Sequence, residues 1–193
     1  MCVFSLKCKW VIGMIYNYND LKEIYGSGYQ IKQAVNKKKI YKIESGLYSD
    51  KKNNHYLKVF TKKYPKAIIL GDSAYYYHNL TDVIPEKIFM TTDRTSGRFK
   101  DKHISQSYSI DNYFNLGKTN IEYEGVNINI YDKERMLIEL IKNKNNTPYD
   151  YYKEIINNYR KIKEELDIYK LQEYINVYYN GEKIMTMIQD EVF

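Results

Sequence analysis

Between residues 19 and 48 the spacing of apolar positions changes from about four to two, which predicts two helices followed by a hairpin. In "NDLKEIYG", Asn19 serves as an N-cap, Leu21, Ile24 and Tyr25 share one face, and Gly26 ends the helix. Ser27, with Gln30 three residues on, opens a second helix whose Ile31, Ala34 and Val35 fall at i, i+3 and i+4. Then Ile40 and Lys42 alternate with Tyr41 and Ile43, a turn follows at Glu44-Ser45-Gly46, and Leu47 and Tyr48 resume the strand pattern. Helix, short glycine-containing turn, helix and hairpin are the ordered parts of a winged helix-turn-helix. Upstream, "LKCKWVIGMIYN" is short, rich in β-branched residues and interrupted by Gly13, so a degenerate helix or a strand is expected in place of a full first helix.

A polar stretch, "DKKNNHYLKVFTKKYPK", contains a helix over 55–63, and Pro65 marks the start of a second part. There the pattern predicts an apolar segment, a helix over 73–78, a turn at Asn79–Asp82 and a strand over 87–92. Further strands are expected at 104–110, 119–123 and 126–131, the last two around Glu124-Gly125. From Asp132, an N-cap, the pattern becomes helical: Met136, Leu137, Leu140 and Ile141 share a face, Pro148 opens a helix to about Lys163, and two more helices follow. The expected fold class is α/β, of the α+β kind: an N-terminal winged helix-turn-helix (1–52), a linker with a helix (53–66), and a mixed α/β domain with a helical C-terminus (67–193).

Charge sharpens this division. Residues 1–66 carry 14 lysines and no arginine against four acidic groups, a net of +10, whereas residues 67–193 carry 16 basic and 20 acidic residues, a net of −4; together they make the chain's +6. A basic segment of domain size joined to a mildly acidic one points to a part that meets nucleic acid and a part that meets something else. Two cysteines, Cys2 and Cys8, give no disulfide framework, and no apolar run has membrane length, so a cytoplasmic protein without a membrane partner is expected. The 23 tyrosines, with frequent lysine, asparagine and isoleucine, match the codon usage of an AT-rich genome.

With Ile31, Ala34 and Val35 turned inward, the second helix presents Tyr29, Gln30, Lys32, Gln33, Asn36 and Lys37, types suited to base edges and phosphates. Lys37, Lys38 and Lys39 stand where such a helix ends and the hairpin begins. Candidate DNA contacts are therefore Ser27, Tyr29, Gln30, Lys32, Gln33, Asn36, Lys37, Lys39 and Lys42. Catalytic patterns fail on spacing. "IILGDSA" resembles the serine segment of GDS-type esterases, but no late Asp-x-x-His follows. "GSG" at 26–28 is similar to a nucleotidyltransferase loop, but lacks a following Asp-x-Asp for Mg²⁺. His55, His78 and His103 lack ligand spacing, so neither metal nor cofactor is expected and the chain reads as a non-enzyme. Asp93, Arg94, Ser96 and Arg98 form a polar cluster read as a loop or as an anion or partner contact, and of Tyr75, Tyr76 and Tyr77 at least one is expected in the core.

"DLKEIYGSGYQIKQAVNKKKIYKIESGLY", "AIILGDSAYYYHNLTDVIPEKIFMTT" and "IEYEGVNINIYDKERMLIELIKN", in this order over residues 17–165, resemble the AbiEi-type antitoxins of abortive-infection toxin–antitoxin operons. The matching positions are Ser45, Gly46, Leu47 and Tyr48, then Ser73, Ala74, His78, Leu80, Thr81, Asp82 and Pro85, then Gly125, Val126, Glu134, Arg135 and Leu137. Asn79 stands where glycine is usual, Met136 where threonine is common, and Ile43-Glu44 where a basic pair is typical. The resemblance implies a non-catalytic antitoxin that represses its own operon by binding double-stranded operator DNA, with self-association on that DNA compatible with the role. It also implies a second domain that counteracts a nucleotidyltransferase-like toxin without needing a stable complex. The alternative is a stand-alone winged-helix regulator whose second domain senses a ligand or dimerises.

Overall fold

A computed structural model describes residues 13–193 other than Ile110, so the two cysteines and most of the weak upstream helix expectation lie outside the described residues. The chain divides into two units, one running to Pro65 and counting residues 124–126, the other comprising 66–123 and 127–193. The architecture is mixed α/β with two sheets.

The first unit follows the order β1 (Ile15–Asn17), α1 (Tyr18–Tyr25), α2 (Gly28–Asn36), β2 (Tyr41–Glu44), β3 (Leu47–Ser49) and α3 (Tyr56–Lys63). Helix α1 is capped two residues before the expected Asn19. Asn17 Oδ1 accepts from the Asp20 amide at 2.9 Å while Asp20 Oδ2 accepts from the Asn17 amide at 2.8 Å, a reciprocal box that needs an acid at the third helical position. Gly26, at φ +80°, ends α1, and Ser27 Oγ then accepts from the Gln30 amide at 3.3 Å to start α2. Leu21, Ile31, Ala34 and Ile40 form the buried cluster, with Tyr16, Tyr25, Val35 and Tyr48 against it. Ile24, expected inward, is 59% exposed, because the covered stripe of this short helix is centred on Leu21 and Tyr25.

The strand that precedes α1 completes the sheet. β1 pairs antiparallel with β3, Ile15 opposite Ser49, and β3 pairs antiparallel with β2, giving the order β1-β3-β2. Gly46, at φ +81°, turns the hairpin. Helix α3, expected within a linker, buries Leu57, Val59 and Phe60 and belongs to this unit, with Val59 joining Ile15 and Leu47 in a second small core.

The second unit is built on a five-stranded mixed sheet of β4 (Ile68–Ile69), β5 (Ile88–Asp93), β6 (Ile104–Ser109), β7 (Lys118–Tyr123) and β8 (Val126–Tyr131), in the order β6-β5-β4-β8-β7. β4 runs antiparallel to β5 and parallel to β8, and β5 runs parallel to β6. β4 is fully buried, as its unbroken apolar run requires. The helices are α4 (Gly71–Tyr77), α5 (Asp111–Phe114), α6 (Lys133–Lys142), α7 (Tyr149–Lys161), α8 (Ile168–Ile175) and α9 (Gly181–Val192). α6 touches α4, α8 and α9, and is buried on nearly every side. Asp132 Oδ1 caps it by accepting from the Arg135 amide at 2.9 Å, as its sequence predicts.

The three lysines after α2 close that helix. The Lys39 amide donates to the Ala34 carbonyl at 2.9 Å and the Lys38 amide to the Val35 carbonyl at 3.0 Å, a Schellman cap with Lys38 left-handed at φ +55°. Asn79 ends α4 the same way at φ +57°, with the Leu80 amide donating to the Tyr75 carbonyl. A side chain in this conformation is strained and glycine is not. Lys38→Gly is expected to raise the unfolding free energy by about 0.5–1 kcal/mol in urea denaturation, and Lys38→Val to lower it.

Candidate functional site

Helix α2 carries the first unit's exposed hydrogen-bonding face. At about 100° per residue, Tyr29, Gln33 and Asn36 lie opposite the buried Ile31 and Ala34 and the half-buried Val35, with Lys32 on one flank and Lys37 on the other. Tyr29 is 72% exposed, Lys32, Asn36 and Lys37 are exposed, and Gln33 is half-buried. The side-chain amides of Gln33 and Asn36 have no hydrogen-bond partner among the described residues. Lys39 and Lys42 are exposed on the chain that leaves α2 for the hairpin. Two other predicted contacts are used locally. Ser27 Oγ is engaged as the α2 cap, and Gln30 Oε1 lies over Gly26, 3.2 Å from where a β-carbon would stand. A β-carbon at Gly28, at the start of α2, would stand 2.8 Å from the Tyr18 hydroxyl oxygen, so a larger residue there would displace the exposed Tyr18 side chain.

The electrostatics of this unit come from which charges are paired. Lys62 and Lys63, at the end of α3, meet Asp20 at 2.6 Å and Glu44 at 3.0 Å. Hydrogen bonding from Lys62 and from the Asn17 amide holds the Asp20 carboxyl below its usual range. The acid in the hairpin, Glu44, is thus matched by a cation from α3. Lys32, Lys37, Lys38, Lys39 and Lys42 have no ion-pair partner among the described residues. Lys38, which sequence reasoning left out of the candidate set, belongs to the same exposed group.

In the second unit most motif positions prove to be clamps. Ser73 is fully buried, its Oγ donating to the Lys87 carbonyl at 3.1 Å and accepting from the Phe89 amide at 2.9 Å, so the "GDS" serine ties α4 to β5. His78 Nε2 lies 2.7 Å from the Tyr131 carbonyl and donates to it. Thr81 Oγ1 donates to Glu154 Oε1 at 2.7 Å, and the Asp82 amide reaches the same oxygen at 3.2 Å. Glu154 on α7, which carried no sequence signal, therefore sets this loop and leaves Asp82, Val83 and Ile84 exposed ahead of the half-buried Pro85. Glu134 Oε1 accepts from the Asp167 amide at 2.8 Å, positioning the start of α8. Asp93 accepts from the Thr95 and Ser96 amides, which closes a turn over residues 93–96 and leaves Arg94 and Arg98 exposed.

Arg135 differs from these. It is 5% exposed, bonds Glu139 through Nη2 at 2.9 Å, and lies 5.2, 5.4 and 5.9 Å from the ring centres of Tyr131, Tyr178 and Tyr113. Its Nε and Nη1 have no oxygen or nitrogen acceptor among the described residues, so the electron-rich ring faces are what the cation meets. A cavity of about 200 Å³ adjoins it, lined also by Gly71, Thr91, Ser107 and Ser109. Gly117, at φ +72°, allows the close approach, since a β-carbon there would stand 2.5 Å from Arg135 Cβ. Among the described residues no group of three or more His, Cys, Asp or Glu side chains is placed to hold a metal ion, and no helix is long and apolar enough to cross a membrane.

Comparison with known proteins found no matching family model and no matching curated protein.

Burial holds the His78 imidazole below its usual 6.5, against the opposing pull of its bond to Tyr131. The unfolded chain then binds the proton more readily than the folded one, so stability falls as pH drops from about 7 through 6.5 towards the lowered folded value. His78→Gln keeps a donor for the Tyr131 carbonyl and removes the titration. The urea midpoint of the variant is expected to fall less between pH 7.5 and 5 than that of the wild type.

Proposed function

We propose that the protein is a sequence-specific DNA-binding repressor acting as the antitoxin of a nucleotidyltransferase-like toxin. The observation that carries the DNA-binding half is the outer face of α2: Tyr29, Gln33 and Asn36 along its centre, with Lys32, Lys37, Lys39 and Lys42 beside it and without an ion-pair partner among the described residues. A protruding helix fits the major groove, and lysines on the flanks and at the hairpin meet the phosphates on either side. The pairing of Asp20 and Glu44 with α3 supports this reading, because it removes the repulsion those two acids would otherwise exert on phosphate.

The antitoxin half rests on the ordered motifs of the second unit and on what they resemble. Its partner-facing element, in this reading, is the exposed segment Asp82-Val83-Ile84, which Glu154 anchors at its start through Thr81 and the Asp82 amide. Asp82, Thr81 and Pro85 act as loop positions, and Ser73, His78, Glu134 and Arg135 maintain the fold behind it. Growth rescue on co-expression with the toxin of the same operon tests this half, and Thr81→Ala is expected to reduce the rescue.

For the DNA-binding half, the full-length protein is titrated against duplex DNA from its own upstream region and against a shuffled duplex at several salt concentrations. Tight binding to the native duplex with a steep salt slope is expected. Replacing Lys37 and Lys39 together with alanine should weaken binding to every sequence. It should also flatten the slope of log K against log salt by about 0.9 for each phosphate no longer neutralised, or roughly two units for the pair. An unchanged slope would remove these lysines from the interface.

A further inference from the structure

We infer that α2 reads adenine–thymine pairs in its target rather than guanine, with Gln33 and Asn36 as the residues that determine specificity. The inference rests on the DNA-binding reading above and deepens it. The centre of the outward face carries two carboxamides and one phenol, at positions 29, 33 and 36, spaced i, i+4 and i+7. A carboxamide offers a donor and an acceptor side by side. Adenine presents the complementary pair in the major groove, its N6 amino group and N7, whereas guanine presents two acceptors, O6 and N7, which call for two donors.

The side chain that presents those two donors as a rigid fork, arginine, is missing from this part of the chain. Residues 1–65 contain no arginine, the four arginines being Arg94, Arg98, Arg135 and Arg160. The lysines of α2 stand on the flanks of the face, where a long flexible cation reaches the phosphate backbone. The Gln33 and Asn36 amides have no hydrogen-bond partner among the described residues, so their donors and acceptors remain available to a base. Gln30 is different, since its Oε1 lies over Gly26. The exposed ring of Tyr29, at the start of the helix, suits apolar contact with a thymine methyl group.

The test is selection of binding sites by the full-length protein from a library of random duplexes, followed by titration of the selected duplex with single adenines replaced by 7-deazaadenine, which lacks the N7 acceptor. An adenine–thymine core is expected. Loss of N7 at one of its adenines should weaken binding about 5- to 150-fold, and Gln33→Ala, with its helix content checked by circular dichroism, should relax the preference at one position. Selection of a core read at guanine overturns the inference and leaves the DNA-binding reading standing. Absence of any sequence enrichment, or of binding, overturns both.

Discussion

Helix α6 enters the second unit's core with three buried ionisable side chains in its opening turn, and the surrounding elements are arranged so that each finds a partner. Asp132 accepts from the Arg135 amide through one oxygen and from the Tyr174 hydroxyl, at 2.8 Å, through the other. Glu134 accepts from the Asp167 amide, and Arg135 is held by Glu139 and three tyrosine rings. A buried charge left without partners costs several kcal/mol, so the positions of α8 and of the segment around Tyr113 follow from this turn as much as from apolar packing.

Tyrosine is the residue that makes this core workable. Tyr75 and Tyr159 donate to the Met136 and Lys133 carbonyls of α6, Tyr178 donates to Glu139, and Tyr152 donates to Glu191 of α9 at 2.6 Å. Burial pushes all four phenols well up from their usual range, so they stay protonated as donors. Each ring supplies apolar area while its hydroxyl satisfies a polar atom at the far side. A richness in tyrosine that composition alone assigns to codon usage thus has a physical use in this fold.

The first unit shows the opposite treatment of charge. Its acids at positions 20 and 44 are matched by cations from α3, while the lysines around the end of α2 are left on the surface without an ion-pair partner among the described residues. Keeping several like charges close together costs stability through self-repulsion. One compensation is local: Lys37 to Lys39 follow the carbonyl end of α2, where the helix dipole favours cations, although the cap forces Lys38 into a strained backbone conformation.

Local chemistry determined much of this molecule. Ser27 before α2, Asp132 before α6, Gly46 in the hairpin and the apolar spacing of α2 and α6 each act within a few residues, so they are legible in the chain and carry into the structure. The exposed face of α2 is legible for the same reason, since its inward residues are set by a 3.6-residue period. The exposure of Ile24 and the membership of α3 in the first unit are not, because they depend on which neighbouring surface covers each helix. Nor does sequence distinguish Ser73, His78 and Thr81, whose hydrogen bonds are made to Lys87, Phe89, Tyr131 and Glu154, up to 73 residues away. The cage around Arg135 is the extreme case: Tyr113, Tyr131 and Tyr178 lie on three separate segments, and only folding brings their rings to one cation. Sequence by itself determined the local elements and the charge imbalance between the two parts of the chain, because both are sums over neighbouring residues. Tertiary structure decided which charges are neutralised and which side chains are clamps, because those outcomes depend on contacts between distant segments.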